Sequence, residues 1–249
     1  MISPTDLLVL FATAADAQLA VVEPLRGPQR RARTAVPGQY ALDLVADAAV
    51  LDVLRPAGVA VVSEESGRSG PPDAPITVVV DPVDGSTNCS RMLPYWAISL
   101  CALDADGPLA AFVANQVTGE RFTAVRGGGA RLDGEPITPS AVTRIADSML
   151  AVGSLPDHHL GWKQFRAMGS CALALCDVAA GRFDGYFGQG VGEAPWDYLG
   201  ALLICREAGA TVIDAQGRDL VTTDPGVRRD VIAAGTPQLL AELTSEFGA

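Results

Sequence analysis

Apolar and polar positions fall into two successive rhythms along this chain. Ser3-Pro4-Thr5-Asp6 sets a capping serine, a proline in the first turn and an acid three residues after the cap, so a helix begins there. It runs through Leu7, Leu8, Phe11 and Leu19 and ends near Pro24. A second helical spacing joins Tyr40, Asp43, Leu44, Asp47, Val50, Leu51 and Leu54 up to Pro56, which places Asp43 and Asp47 on one face. Two short β-branched runs follow, Val59 to Val62 and Ile76 to Val80. They have the character of buried strands joined by a Gly/Ser/Pro loop, and both run into acids. Strand patterns at Ala97 to Leu103, Leu109 to Val113 and Arg121 to Val125, with turns at Gly127-Gly128-Gly129 and Asp133-Gly134, predict a largely antiparallel sheet.

After about residue 140 the elements alternate. A strand at Met149 to Val152 precedes a helix around Ser170 to Ala180, a strand at Gly185 to Phe187 and a helix from Trp196 to Glu207. Strands at Thr211 to Ile213 and Val231 to Ala234 and a closing helix complete the chain. The expected class is α/β, with an α+β half over about 1–140 and an α/β half over 141–249. No Pro/Ser-rich linker separates the halves and no repeat is visible, so residues 1–249 are expected to form one unit with the site between its halves.

Composition narrows the partners. With 49% hydrophobic residues in 249, the chain can bury a substantial core. No apolar run approaches the roughly 20 residues of a membrane span, and the start lacks a basic signal region, so a cytoplasmic address is expected. Cys89, Cys101, Cys171, Cys176 and Cys205 form no Cys-x-x-Cys pair and read as reduced packing residues. A net charge of −11 argues against nucleic acid or an anionic membrane as partner. The same charge repels phosphate esters, so a phosphate-handling site here needs local cations. The adjacent His158 and His159 read as loop residues, and Gly127 to Gly129 lacks the Gly-Lys-Ser/Thr of a P-loop, so no nucleotide cofactor is implied.

The densest chemistry lies in Val78-Val79-Val80-Asp81-Pro82-Val83-Asp84-Gly85-Ser86-Thr87-Asn88. An apolar strand delivers Asp81 at its exit, Pro82 interrupts the ladder, and Asp84 can turn back toward a shared cation. Gly85 and the capping residues after it can present free N–H groups to an anion. Glu64 at another strand exit and Asp197 at a helix start add hard oxygen donors of the kind that suit Mg²⁺. Each has a plainer reading: a turn acid for Asp84, a helix-dipole partner for Asp197, solvated loop charges for Glu64 and Glu65, an exposed acidic face for Asp43 and Asp47.

Asp-Pro-Val-Asp-Gly-Ser-Thr-Asn resembles the Asp-Pro-Ile-Asp-Gly-Thr-x-Asn signature of the inositol monophosphatase family, the magnesium-dependent, lithium-sensitive phosphomonoesterases. Val62-Ser63-Glu64-Glu65-Ser66-Gly67 resembles its Gly-Glu-Glu segment, and Pro195-Trp196-Asp197-Tyr198-Leu199-Gly200-Ala201 through Glu207-Ala208-Gly209-Ala210 its Trp-Asp and Glu-Ala-Gly block, in the family's order. The resemblance implies a layered α-β-α-β-α sandwich, a homodimer and two or three Mg²⁺ held by Glu64, Asp81, the carbonyl of Val83, Asp84 and Asp197. It assigns proton handling to Asp43 and Ser86, which with Glu64 make the catalytic set. Substrate contacts fall on Gly85, Ser86, Thr87, Ser170 and Cys171, although Ser170 also reads as a plain helix cap.

Three departures bear on the substrate. Tyr40 and Asp47 replace the family's Thr and Glu around Asp43. The stretch Gly188-Gln189-Gly190-Val191-Gly192-Glu193 carries extra residues and no acid at the place where inositol phosphatases grip ring hydroxyls, leaving Gln189 as a neutral candidate. Arg26, Arg30, Arg31 and Arg33 stand where the family often has a lysine, either as a solvated loop or as a lid over a second anionic group. Trp162, Arg166, Trp96 and Tyr95 are either pocket or core residues. The expected activity is hydrolysis of a small inositol, sugar or polyol phosphate, with no phosphoenzyme. Histidinol phosphate, a 3′-phosphonucleotide or a nucleoside monophosphate are the alternative substrates, and a non-catalytic phosphate-ligand-binding homologue is the rival reading.

Overall fold

The computed structural model describes residues 2–190 and 192–247. Helix α1 (Pro4–Val22) is capped by Ser3, whose hydroxyl accepts from the Asp6 amide. Then come α2 (Gly27–Arg31) and α3 (Ala41–Leu54), followed by strands β1 (Ala60–Ser63), β2 (Gly67–Ser69) and β3 (Thr77–Asp84). A short α4 (Ser86–Arg91) leads into β4 (Ala97–Asp104), β5 (Gly107–Asn115), β6 (Arg121–Val125), β7 (Ala130–Leu132) and β8 (Glu135–Pro136). The second half contains β9 (Met149–Val152), β10 (Gln164–Arg166), α5 (Cys171–Ala179), β11 (Gly185–Phe187), α6 (Pro195–Ala208), β12 (Thr211–Asp214), β13 (Val231–Ala234) and α7 (Pro237–Ser245).

These elements stack in five layers. An eight-stranded sheet, ordered β2-β1-β3-β4-β5-β6-β7-β8, is antiparallel except for the β1–β3 pair; a five-stranded mixed sheet runs β10-β9-β11-β13-β12. Strand alternation distributes the larger sheet's side chains between two cores. Val78, Val80, Ile98, Leu100 and Phe112 meet Leu7, Phe11, Val50 and Leu54 of α1 and α3. Val79, Cys101, Ala111 and Val113 face α5 and α6, which also cover the inner face of the second sheet. Helix α7 closes the outer face through Leu239 and Leu243 against Leu150, Phe187 and Ile232. The α-β-α-β-α sandwich follows from giving both faces of both sheets an apolar cover.

The structure corrects the sequence reading in four places. The loop after Ser63 contains β2, paired antiparallel to β1. The apolar helix α1 is long and apolar enough to cross a membrane by length and composition, contrary to expectation, because alanines sustain its hydropathy; here Leu7, Phe11, Ala14, Ala15 and Val22 lie in the core. The arginine segment is not wholly solvated. Arg30 is buried and donates to the carbonyls of Cys89 (2.7 Å) and Val22 (3.0 Å), and Arg33 lies 3.6 Å over the Tyr40 ring. Finally, Asp43 and Asp47 are buried, which excludes the exposed acidic face. All five cysteines are free and buried, as expected.

Candidate active site

Alternation along β3 aims Asp81 toward the α6 side, the face that Val79 takes. Beyond it the register with β4 shifts between Asp81 and Asp84, as Pro82 requires. Buried Gln18 of α1 donates to the Pro82 carbonyl at 2.9 Å, and the Val83 amide donates to Asp81 at 2.9 Å, so the bulge is held from both sides. Gly85 then adopts φ +92°, and a Cβ there would lie 2.9 Å from the Gly169 carbonyl oxygen. Only glycine suits both the backbone angle and that approach.

The two halves meet at this turn. Asn88 Nδ2 donates to the Tyr95 and Met168 carbonyls, each at 2.7 Å. Ser170, the N-cap of α5, accepts from the Leu173 amide and donates to Asp84 Oδ2 at 2.5 Å; the Ala172 amide adds a 2.7 Å bond. Asp197 sits in the first turn of α6 and accepts from the Ala194 amide at 2.5 Å, so its plainer role as a helix-start acid is real as well.

Glu64, Asp81, Asp84 and Asp197 share one neighbourhood. Glu64 is exposed by surface area at the cleft mouth, yet the protein crowding around it, with Glu65 beside it, pushes its carboxyl up to about 7. Burial, then Glu64, Asp84 and Asp197, holds Asp81 well above the usual carboxylate range. Asp84 rises to about 7 through burial, against the opposing bonds from Ser170 and Ala172. Asp197 is raised by burial, Glu193, Asp84 and Glu64. None of the four takes part in an ion pair among the described residues.

Clustered carboxylates without a basic partner are costly unless cations from solution join them. Among the described residues no three such side chains already converge in ion-holding geometry. The donor set, all carboxylate and carbonyl oxygen, nonetheless fits Mg²⁺ better than zinc. Asp43 supplies a further sign: Oδ2 accepts from the Tyr40 amide at 2.9 Å, while Oδ1 is buried without a partner. Ser86 lies near enough to hold the Asp43 carboxyl down against the dominant effect of burial, which raises it. Its hydroxyl is donated to the Val83 carbonyl at 2.9 Å.

Two cavities flank the acids. An outer one of ≈ 420 Å³ is lined by Gln39, Asp43, Glu64, Ser86, Trp196 and Arg228, among others. Arg228 lies 5.5 Å over the Trp196 ring. An inner one of ≈ 200 Å³ is lined by Asp84, Ser170, Cys171, Tyr186 and Glu193, with Gly153 and Met168 at its edges. Of the expected substrate contacts, Ser170 and Cys171 reach the inner cavity and Ser86 the outer one. Gly85 forms the turn between them. Thr87 is exposed on α4 and accepts a 3.4 Å bond from the Tyr40 hydroxyl, and Gln189 lines neither cavity.

Sequence reasoning missed Glu193 and Arg228. The region before Trp196 does hold an acid at the site, Glu193, which lines the inner cavity just ahead of α6. Backbone bonds between Glu193 and Arg229 (2.8 and 2.9 Å) fix both neighbourhoods at once. An acid just ahead of Pro195, at a helix start, was the available signal. Tyr95 donates to Asp177 and Trp96 is core, so neither shapes a pocket beside the acids.

A layered α/β sandwich with an acid cleft between its sheets is the class that this geometry defines, and the comparisons agree. The fold matches a hypothetical protein from Pyrococcus horikoshii with similarities to inositol-1 monophosphatase (25% identity, TM-score 0.84, 98% of this chain and 97% of that one). It also matches the inositol monophosphatase of Anabaena (25%, TM-score 0.78, 97% and 95%). Residues 39–248 match the Inositol monophosphatase family, and the chain belongs to it. Relatives include an inositol-1-monophosphatase of Synechocystis (32% identical, 88% of this chain and 84% of that protein) and a fructose-1,6-bisphosphatase of Pyrococcus furiosus (32%, 82% and 81%). A Nus factor SuhB of Salmonella typhimurium is 33% identical over 71% of each chain.

Proposed function

We propose that this chain is a Mg²⁺-dependent phosphomonoesterase that releases inorganic phosphate from a small inositol, sugar or polyol phosphate. The observation that carries the reading is the gathering of Glu64, Asp81, Asp84 and Asp197 in one cleft, none of them in an ion pair among the described residues. These four and the Val83 carbonyl would hold two or three ions. Bound there, divalent ions neutralise phosphoryl oxygens and acidify water.

The chain's own groups do the rest. The Gly85 and Ser86 amides at the start of α4 would donate to a phosphate held on the acids. Asp43 Oδ1, lacking a partner, would take a proton relayed through the Ser86 hydroxyl once that hydroxyl turns from the Val83 carbonyl it now bonds. The acids are occupied as ligands, so the attack belongs to water and no phosphoenzyme forms. Arg228 at the cleft mouth draws anionic esters toward an otherwise acidic surface. Lithium inhibition, a homodimer and a cytoplasmic setting belong to the same reading through the resemblance.

Phosphate release at saturating Mg²⁺ across inositol, sugar, nucleotide and amino-alcohol esters tests it. Turnover abolished by chelation and by Asp84→Asn is expected, and turnover indifferent to both defeats the proposal. Calorimetric binding of an ester with no phosphate release supports a non-catalytic binder instead. Light scattering of the purified chain checks the dimer.

A further inference from the structure

The Pro82–Val83 peptide lies between two of the acids, and side chains take both of its polar groups. Its carbonyl accepts from Gln18 Nε2 at 2.9 Å, and its N–H donates to Asp81 Oδ1 at 2.9 Å. Pro82 is buried and has no opposite residue in β1 or β4, because the ladder skips from Asp81 to Asp84. A planar unit held at both ends turns only if both bonds break together. Gln18, on α1, therefore decides which way the Val83 amide faces and, through it, how the Asp81 carboxylate is turned.

Gln18 is itself locked in one orientation. A carbonyl only accepts, so the Pro82 oxygen requires the amino end of the Gln18 amide, which leaves Gln18 Oε1 to accept in turn. Gln116, just beyond β5, supplies that donor from Nε2 at 2.7 Å, and the same nitrogen reaches the Ala15 carbonyl at 3.0 Å. The Gln116 backbone is anchored by its own amide on the Trp96 carbonyl at 3.2 Å. The donors thus run one way, from Gln116 to Gln18 and from the Val83 amide to Asp81. Gln18 is fully buried, on an inward face otherwise made of Leu7, Phe11, Ala14, Ala15 and Val22. An amide there is costly unless both of its ends are bonded, as they are here.

Resting on the Mg²⁺-dependent phosphatase reading, we infer that Gln18, locked by Gln116, is a positioning residue: it fixes the Pro82–Val83 peptide so that Asp81 and the Val83 carbonyl meet a divalent ion in one arrangement. Gln18 reaches the site only through that peptide. Its effect therefore falls on how tightly the ion is held rather than on how the ester is bound.

Gln18→Met keeps the length of the side chain and removes both of its bonds, whereas Gln116→Met keeps the Gln18–Pro82 bond and frees the amide to turn. Phe11→Leu, about two turns earlier on the inward face of α1, is the control for lost stability alone. Calorimetric titration with Mg²⁺ in the absence of ester gives the dissociation constant, and hydrogen exchange at the Val83 amide of the metal-free protein reports on the peptide directly. Gln18→Met is expected to raise the Mg²⁺ dissociation constant roughly ten-fold, to raise the Mg²⁺ needed for half-maximal phosphate release by a similar factor, and to leave KM at saturating Mg²⁺ unchanged. Val83 exchange should quicken in the same variant. Gln116→Met should move the same quantities by less, and Phe11→Leu should lower the melting temperature with the dissociation constant unchanged. An unchanged dissociation constant in Gln18→Met, or an equal shift in Phe11→Leu, overturns the inference. Should Gln18→Met fail to fold, the shift in Gln116→Met, or its absence, decides the matter. A wild type that binds Mg²⁺ but releases no phosphate defeats the phosphatase reading alone, and the titration still judges Gln18; a wild type that binds no divalent ion overturns both.

Discussion

Ser170 holds Asp84 across the junction of the two halves: its hydroxyl donates to the carboxylate at 2.5 Å while its oxygen caps α5 by accepting from Leu173. One side chain thus aligns an acid from the larger sheet and starts the helix that covers the smaller one. Ser170→Ala is expected to lower stability by about 1–2 kcal/mol through loss of the cap and of a bond to a buried carboxylate. It should also weaken Mg²⁺ binding about ten-fold, since Asp84 loses its orienting donor. Urea unfolding and Mg²⁺ titration measure the two effects.

Asp81 shows an opposed effect on stability and on activity. Its burial among other acids disfavours the metal-free fold, so Asp81→Asn should raise the melting temperature of the chelated protein. The same substitution should remove the stabilisation that Mg²⁺ confers and reduce phosphate release on the order of a hundred-fold or more. Thermal melts with and without Mg²⁺ separate these outcomes; a destabilised metal-free variant contradicts the argument.

Gly85 is constrained twice, by φ +92° and by the Gly169 carbonyl. Gly85→Ala is expected to cost about 2 kcal/mol and to disturb the turn that carries Asp84 and Ser86. Denaturation and phosphate-release assays check the paired loss.

Two arginines should behave differently. Arg30 is buried against the carbonyls of Val22, Leu25 and Cys89, so Arg30→Met strands those acceptors and should cost about 2–3 kcal/mol. Arg228 is exposed over Trp196, and Arg228→Met should change stability by only about 0.5 kcal/mol or less. It should instead raise KM for phosphate esters and weaken the dependence of kcat/KM on salt.

Asp214 offers a pH test away from the acid cleft. Burial pushes its carboxyl up, but Arg218 Nε and Nη2 (each 2.7 Å) and the amides of Arg218 and Asp230 outweigh it, leaving the group at about 2. A depressed folded pKa contributes stability above the unfolded value near 3.8, and that contribution is lost as pH falls through about 2. Asp214→Asn should therefore be less stable than the wild type at neutral pH, with the difference shrinking as pH falls from about 4 toward 2. Denaturant unfolding at several pH values measures it.

Much of this protein is readable from local order in its sequence. The alternation in Val78-Val79-Val80-Asp81 announces a strand, Pro82 its bulge, Ser170 a cap and Pro195-Trp196-Asp197 a helix start, because each depends on neighbours a few residues away. The acids Glu64, Asp81, Asp84 and Asp197 were legible for the same reason, as strand exits and a helix start. What tertiary structure alone decided is which side chains from distant segments share an environment. Arg30 reads as a loop charge until α2 folds against Cys89. Arg228 comes to the acids only through the Glu193–Arg229 bridge. Glu193 becomes part of a cavity only when Tyr186 on β11 and Asp84 on β3 close around it. Those neighbourhoods are set by sheet order and by the packing of α5 and α6 between two sheets, which no short-range periodicity encodes.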